Sequence, residues 1–273
     1  MASESDREPV INSNPKLQSY YHSLESRIGY RLLLGGTRHF GFYENDTWWP
    51  FLISKALRAV EDKLAASLNL PPGAYVLDAG CGVGHVAINL ATKYGKNITQ
   101  SALPENQITV QRMDYHHLER FGGETFDGVY TMETFVHATD PEAVLAGFFH
   151  ILRPEGHLSL FEYDHELRDD SPEAMVRSMR QINEFAAMPT NSRSHPGVFR
   201  QMLEDAGFGD IIVRDYSDNI RPKTRLFYLI TYIPFLIVTF LGLEHYFIKY
   251  RRESSVLSWP NETGGPLEAV KDQ

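Results

Sequence analysis

The sequence predicts an α/β fold in which a parallel sheet is flanked by helices and partly covered by a helical lid. Apolar runs of strand length alternate with segments of helical periodicity from Ala74 to Tyr163, the pattern of a parallel sheet with helical crossovers. A glycine-rich turn directly follows the first of these runs. Residues 226–243 contain no charged side chain and supply the predicted lid.

Each element is predicted from its local pattern. Leu57, Val60, Leu64 and Leu68 recur at spacings of three and four, so residues 47–70 should form a helix with one apolar face. The remaining strands are predicted at 74–78, 108–113, 126–132, 157–163 and 211–216, and the remaining helices at 84–94, 141–152, 171–187 and 196–207. We expect no clear final strand after Tyr246.

These elements divide the chain into four parts. Residues 1–46 are predicted to form an N-terminal tail and an aromatic arm on the substrate side. Residues 47–217 form the core, with a cap inserted near 164–195. Residues 218–252 form an apolar helical lid or a segment on a membrane surface, and residues 253–273 a polar tail.

Composition limits the classes of function. The 273-residue chain has a formal net charge of -9, which argues against nucleic-acid binding because phosphate contacts need a basic surface. The single cysteine, Cys81, excludes an internal disulfide and suits a reducing compartment. The polar, acidic N-terminus does not resemble a signal peptide. We therefore expect a cytoplasmic protein with a small-molecule substrate.

The turn after the first strand has the form Gly80-x-Gly82-x-Gly84. Glycines at such a turn let the backbone approach a ligand closely. His85 and the residues after it match neither a dinucleotide fingerprint nor a P-loop, so the turn favours a nucleoside without a pyrophosphate. The competing interpretation is a tight strand-to-helix turn that binds nothing.

A second candidate contact is the pair Asp114-Tyr115, at the end of the strand predicted over 108–113. A carboxylate there can accept a hydrogen bond from an adenine amino group, and the tyrosine can pack on the ring. A capping or turn aspartate is the alternative.

Together these segments resemble class I S-adenosylmethionine (SAM)-dependent methyltransferases. The matching segments are 76–84, 113–118, 126–134 and 152–156. Within the class, His39-Phe40-Gly41-Phe42-Tyr43 and residues 129–138 resemble the sterol 24-C-methyltransferase branch, which includes fungal alkaloid O-methyltransferases of the roquefortine and meleagrin type. The resemblance covers Tyr20 to Tyr246.

The resemblance implies a Rossmann-like core with SAM as the cofactor. The residues that it places against the cofactor are Asp78, Gly80, Cys81, Gly82, Gly84, Asp114, Tyr115 and Thr131. The residues that it places on the substrate side are Phe40, Phe42, Tyr43 and Trp48. For most of these aromatic residues, packing in the core is the competing interpretation. Cys81 is expected to be a small buried residue rather than a nucleophile.

One feature departs from the class. Residues 79–104 contain no Asp or Glu, whereas the family has an acidic residue on the ribose at the end of its second strand. Residues 96–100 resemble the end of the family's next helix, so the second strand is predicted to be missing or shortened. Losing two ribose hydrogen bonds would cost about 2 to 4 kcal/mol. Three explanations stay open: an error in the gene model, weak SAM binding, or a descendant with another activity.

Glu133 and His137 are the candidate catalytic residues. They lie four residues apart after the predicted strand 126–132 and would share a face if that segment were helical. Histidine suits the role of a general base at neutral pH. The favoured reaction is O-methylation of a hydroxyl or N-hydroxyl on a bulky apolar metabolite. The alternatives are C-methylation of a sterol or terpenoid, and a binding or cyclisation catalyst on the same scaffold. The histidines lack the spacing of a metal site.

The apolar segment 226–243 is at the lower length limit of a membrane span, and Pro234 interrupts it. A helical hairpin that covers the substrate or lies on a membrane surface is preferred to a span. The expected partners are therefore a hydrophobic small molecule and, peripherally, a membrane.

Overall fold

The computed structural model describes residues 39–44, 47–95, 97–99, 108–111, 113–168, 170–242 and 266–271. Its helices are α1 (Ile53–Leu68), α2 (His85–Tyr94), α3 (Pro141–Ile151), α4 (Glu173–Phe185), α5 (Val198–Asp205) and α6 (Ser217–Phe240). Its strands are β1 (Tyr75–Asp78), β2 (Asn97–Thr99), β3 (Phe126–Met132), β4 (Leu152–Phe161), β5 (Phe208–Val213) and β6 (Pro266–Lys271). The N-terminal tail and most of the C-terminal tail lie outside these residues.

The strands form one six-stranded sheet in the order β2-β1-β3-β4-β6-β5. β1 pairs in parallel with both β2 and β3, and β3 pairs in parallel with β4. The carboxyl ends of β1, β3 and β4 therefore meet at one edge of the sheet, where ligands bind in open α/β folds. The predicted α/β class with a parallel sheet and flanking helices is confirmed.

β6 corrects two expectations at the C-terminus. Residues 266–271, predicted to belong to a polar tail without a strand, pair antiparallel with both β4 and β5. The short alternating segment Leu267-Glu268-Ala269-Val270 did not stand out because Pro and Gly precede it. It fills the gap between two parallel strands, which would otherwise leave their backbone groups unpaired.

β2 shows what happened to the second strand. Asn97–Thr99, which was predicted to end a helix, is extended and pairs in parallel with β1 from Tyr75 to Leu77. The chain crosses over through α2 and returns to the sheet beside β1. Extended backbone there pairs with the N–H and C=O groups of β1 that would otherwise lack a hydrogen-bond partner. The second strand is thus present and short, and it lacks the acidic residue at its end.

The strand predicted over 108–113 does not form within the described residues. Ile108 makes an isolated bridge, and residues 109–111 have no strand pairing. The exposed Val110 contributes no buried side chain to hold this segment in a sheet. Asp114 therefore lies in a turn rather than at the end of a sheet strand.

Two apolar layers hold the sheet. On one face, α3 and α5 pack Val144, Phe148 and Leu203 against β3 and β4. On the other face, α1 and α2 pack Leu64 and Leu90 against Val76 of β1 and its neighbours. Burial of such side chains is the main source of stability, at about 1.5 to 3 kcal/mol each.

The predicted hairpin near the C-terminus is instead one continuous helix. α6 spans 24 residues from Ser217 to Phe240 and includes Pro234. Gly242, with a φ of 62°, follows it and allows the chain to turn. Of the described helices, α6 alone is long and apolar enough to cross a membrane by length and composition, and most of it is not buried.

Candidate functional site

The glycine turn forms a tight connection between β1 and α2. Gly80, Gly82 and Gly84 all have positive φ, at 102°, 56° and 80°, a region that other residues adopt at a cost. A Cβ on Gly80 would lie 2.5 Å from Oγ1 of Thr134. That hydroxyl donates a hydrogen bond of 2.9 Å to the carbonyl of Ala79, so the turn is fastened to the segment after β3.

Asp78 ends β1 with a buried carboxylate. The hydroxyl of Tyr130 donates to its Oδ2 at 2.6 Å. Burial raises the pKa of Asp78 to about 7, against that hydrogen bond and the nearby His39, which both favour ionisation. Burial, with the charge of Asp78, raises the pKa of the Cys81 thiol to about 12. The thiol therefore stays protonated, which removes the nucleophilic thiolate.

Asp114 lies in the turn after residue 113 and is also buried. Its Oδ1 accepts hydrogen bonds from the backbone N–H of His116, at 3.0 Å, and from the ring Nδ1, at 2.6 Å. Burial opposes ionisation, but these bonds prevail, so the pKa of Asp114 is below its usual value. Nε2 of His116 accepts a hydrogen bond of 3.0 Å from the backbone N–H of Thr139. Nδ1 is therefore the donor nitrogen of this ring and Nε2 the acceptor.

Tyr115 is fixed beside Asp114. Its hydroxyl donates to the carbonyl of Thr134 at 3.0 Å, and its ring stacks on His116 with centroids 5.0 Å apart. Tyr115 and the glycine turn thus both contact Thr134 in the segment after β3, and Asp114 lies directly beside Tyr115. Contact of Asp114 and Tyr115 with an adenine ring remains a prediction.

Glu162, directly after β4, organises the segment after β3. Its Oε1 accepts from the Thr131 hydroxyl at 2.8 Å and from the backbone N–H groups of Thr134 and Phe135 at 3.0 and 2.8 Å. Burial raises its pKa to about 7, against these hydrogen bonds. Thr131 has no exposed surface. Its side chain supports Glu162, and its contact with the cofactor stays a prediction.

Glu133, directly after β3, is the third carboxylate at this edge. It has a φ of 54°, a strained conformation for a residue with a side chain. Its carboxylate accepts hydrogen bonds from the Phe40 backbone N–H and the Tyr163 hydroxyl. Burial raises its pKa, although His39, Tyr163, the Phe40 N–H and Lys223 all favour the charged form.

Lys223 of α6 approaches the same carboxylate. Its side chain is fully buried, and Nζ lies 3.5 Å from the carbonyl oxygen of His39 and 5.6 Å from the centre of the Phe40 ring. Burial lowers its pKa to about 8, against the attraction of Glu133. Each of these two buried groups thus favours the charged form of the other, and Phe40 contacts both of them.

His137 belongs to a short 3-10 helix, Phe135–His137, that starts after Glu133. The expected shared helical face of the two residues is therefore wrong, because the chain turns at Glu133 first. The Nδ1 of His137 donates to the carbonyl of Ala187 at 2.8 Å, and burial lowers its pKa. Thr190 also donates to the carbonyl of Ala138 at 2.6 Å, so the predicted cap is tied to this helix.

The four aromatic residues predicted on the substrate side separate into three environments. Phe40 reaches the site and packs edge-on against Tyr163, with centroids 6.0 Å apart. Phe42 and Tyr43 are buried in the core, where the Tyr43 hydroxyl donates to the carbonyl of Pro50 at 2.9 Å. Trp48 is 71% exposed. Phe42 and Tyr43 thus serve as core packing, whereas Phe40 borders Glu133 and Lys223. Contact of the four residues with a substrate stays a prediction.

Four site residues had not been identified from the sequence: Tyr130, Glu162, Tyr163 and Lys223. His39 had been named only as part of the motif at residues 39–43. Glu162 carried a usable signal, because an acidic residue inside an apolar run must find partners when it is buried. Lys223 carried none, since it joins the site only through the path of α6. Among the described residues, no group of three His, Cys, Asp or Glu side chains is placed to hold a metal ion.

Comparison with known proteins identifies the class. A methyltransferase-domain profile matches residues 52–213. The chain is 42% identical over 252 residues to an S-adenosyl-L-methionine-dependent Diels-Alderase of Talaromyces variabilis, covering 85% of this chain and 86% of that protein. A protein of Neonectria with the same description is 39% identical, over 77% and 89% of the two chains. An O-methyltransferase of Penicillium expansum is 30% identical over 71% and 73%.

A solved structure supports the fold assignment. A cyclopropane synthase of Mycobacterium tuberculosis superposes with a TM-score of 0.71 and 16% identity, over 97% of this chain and all of that one. The fold is thus the SAM-binding methyltransferase fold. None of these relatives singles out the predicted sterol branch, which stays a prediction.

The described residues fit the methionine portion and the adenine of SAM, but they offer no acidic partner for its ribose. The left-handed glycines Gly80, Gly82 and Gly84 leave backbone accessible for the methionine portion, and Asp78 can pair with its ammonium group. Asp114 and Tyr115 can face the adenine. The ribose has no acidic partner at the end of β2, which closes with Thr99.

Proposed function

Because the chain belongs to the methyltransferase-domain family, we propose that it is a SAM-dependent cyclase that catalyses an intramolecular [4+2] cycloaddition of an apolar polyene. The observation that carries this proposal is the 42% identity to a SAM-dependent Diels-Alderase over 85% of this chain and 86% of that protein. The substrate carries a conjugated diene and an alkene dienophile on one chain.

The reaction needs no proton transfer. Two carbon–carbon σ bonds form as three π bonds of the diene and dienophile are used, and one new ring double bond remains, so product and substrate have the same atoms. Catalysis then consists of holding the two reacting ends at close distance and stabilising charge shift toward the dienophile. When bound, SAM would supply a permanent sulfonium charge to this environment as well as an activated methyl group.

The surroundings of the two candidate bases, Glu133 and His137, are compatible with this choice. The carboxylate of Glu133 accepts hydrogen bonds from the Phe40 N–H and the Tyr163 hydroxyl. Burial lowers the pKa of His137, which weakens it as a proton acceptor. A hydroxyl nucleophile benefits from a general base, whereas a cycloaddition requires none.

O-methylation is the second candidate, favoured by the similarity to the Penicillium expansum O-methyltransferase. Purified protein incubated with SAM and synthetic linear polyenes that carry a tethered diene and an activated dienophile separates the two. A cyclase gives a product of unchanged mass with a new ring in its NMR spectrum. A product heavier by one methyl group, formed with S-adenosylhomocysteine, would contradict the proposal.

A further inference from the structure

We propose that the second half of α6 docks on the surface of a lipid bilayer that carries anionic headgroups. The docking face, which we call the apolar stripe, consists of Leu229, Ile230, Ile233, Leu236, Ile237, Phe240 and Leu241. These positions recur at spacings of three and four and so lie on one side of the helix. This inference depends on the surface of α6 and not on the proposed cyclisation.

The apolar stripe is exposed while the opposite side of α6 is partly covered. Ile233 and Ile237 are 51% and 53% exposed, and Phe240 is 89% exposed. On the other side of the helix, Tyr232, Phe235 and Val238 are half-buried, and Tyr228 is 37% exposed. A contiguous apolar face of this length is uncommon on a soluble monomer and marks a site of association.

Aromatic and basic side chains border one end of the stripe. The guanidinium of Arg225 lies 4.7 Å from the centre of the Trp48 ring, and Trp48 and Trp49 are 71% and 60% exposed. Tryptophan and arginine are the residues that favour the headgroup region of a bilayer. The stripe, Arg225 and these two tryptophans together provide an apolar face with an interfacial rim.

Charge favours lipid over a second copy of the chain. The segment without charge is preceded by Arg225 and followed in the sequence by Lys249, Arg251 and Arg252, together with Glu244 and Glu253. Both flanks are thus net positive in a chain of net charge -9. Two such helices side by side would bring positive flanks together in either orientation, whereas anionic headgroups complement both flanks.

The one-sided exposure also favours a helix that lies in the interface over one that crosses the bilayer. A spanning helix would present apolar side chains to lipid around most of its circumference, whereas Tyr232, Phe235 and Val238 of α6 are half-buried. Phe227, two residues before the stripe, packs against Phe40 of the site with centroids 5.8 Å apart. Docking would therefore place the site close to the membrane surface, where apolar substrates accumulate.

Vesicle flotation with the full chain tests this inference. Purified protein is mixed with phosphatidylcholine vesicles with or without phosphatidylserine and centrifuged through a density gradient. We expect the wild-type protein to float, and more of it with phosphatidylserine. The double variant Ile233→Lys and Ile237→Lys should bind the vesicles more weakly than the wild type. Each of the two substitutions should lower the partition coefficient by more than about tenfold.

The matched control is the double variant Ile212→Lys and Val213→Lys on β5, whose side chains are 50% and 53% exposed and lie outside the stripe. It should float like the wild type, with circular dichroism showing that both variants are folded. The inference is overturned if the wild-type protein stays at the bottom of the gradient, or if the stripe variant floats equally well. Floated protein that resists alkaline carbonate would indicate a spanning helix, and a dimer that the stripe variant dissociates without any flotation would indicate self-association.

Discussion

Replacing Gly80 with alanine should damage the cofactor turn far more than the same change at Gly73. Both glycines have positive φ, at 102° and 82°, so each alanine is strained by about 1 to 2 kcal/mol. A Cβ at Gly73 meets nothing within 4 Å, whereas at Gly80 it would lie 2.5 Å from Oγ1 and 2.8 Å from Cβ of Thr134.

The additional cost at Gly80 has two parts. Thr134 must shift, which puts at risk the 2.9 Å hydrogen bond from its hydroxyl to Ala79, worth about 1 kcal/mol. Overpacking a tight site costs a further 1 to 3 kcal/mol, roughly. With the backbone strain, Gly80→Ala should lower the free energy of unfolding by roughly 3 to 6 kcal/mol, against about 1 to 2 for Gly73→Ala.

Urea unfolding followed by circular dichroism measures the free energy of unfolding of the two alanine variants. Calorimetric titration with S-adenosylhomocysteine measures how strongly each variant still binds the ligand. Gly80→Ala should abolish binding or weaken it strongly, and Gly73→Ala should leave it unchanged. Thr134→Gly removes every close atom of that side chain, so combining it with Gly80→Ala should recover part of the loss. Equal stabilities for the two alanine variants, or unchanged binding by Gly80→Ala, would refute this reasoning.

Three further predictions concern the buried ionisable groups. The pKa of Asp78 is about 7 in the folded protein against 3.8 ordinarily, so the folded state binds more protons between these values. The free energy of unfolding should therefore fall as the pH rises from about 4 to about 7, and Asp78→Asn should flatten this fall in urea titrations across that range; an unchanged slope would contradict it. Glu162→Leu leaves four donors, of residues 131, 134, 135 and 136, without an acceptor and should destabilise the protein more than Glu162→Gln, which keeps an acceptor oxygen, in the same unfolding assay; equal losses would contradict this. His137→Asn should keep the rate of cyclisation within about threefold, whereas a loss of about 10²-fold or more in turnover would indicate a general base.

The regular part of the fold was accessible from the sequence because it depends on local patterns. β3 and the apolar face of α1 follow from hydrophobic periodicity, which tertiary contacts reinforce here. β2 and β6 were not accessible. Each is short and polar in part, and each becomes a strand because a neighbour in the sheet has unpaired backbone groups, which no local pattern records.

The site residues also fall into those that a local motif predicts and those that only the folded chain brings together. The glycine turn and Asp114 lie in short motifs, so their positions were predicted even though the strand expected before Asp114 does not form. Glu162 was placed inside a predicted strand, although that strand ends one residue earlier, at Phe161, and its carboxylate reaches across to β3. Lys223 lies in another part of the chain and comes within electrostatic range of Glu133 only in the folded protein.

The most direct test of the central claim is the stoichiometry of product against S-adenosylhomocysteine in one reaction with methyl-deuterated SAM. Both are quantified by mass spectrometry after many turnovers of a polyene substrate. A SAM-dependent cyclase forms many molecules of unlabelled product of substrate mass while S-adenosylhomocysteine stays at its initial level, and omitting SAM stops the reaction. Deuterated product that accumulates one-to-one with S-adenosylhomocysteine would contradict the cyclase proposal and establish methyl transfer.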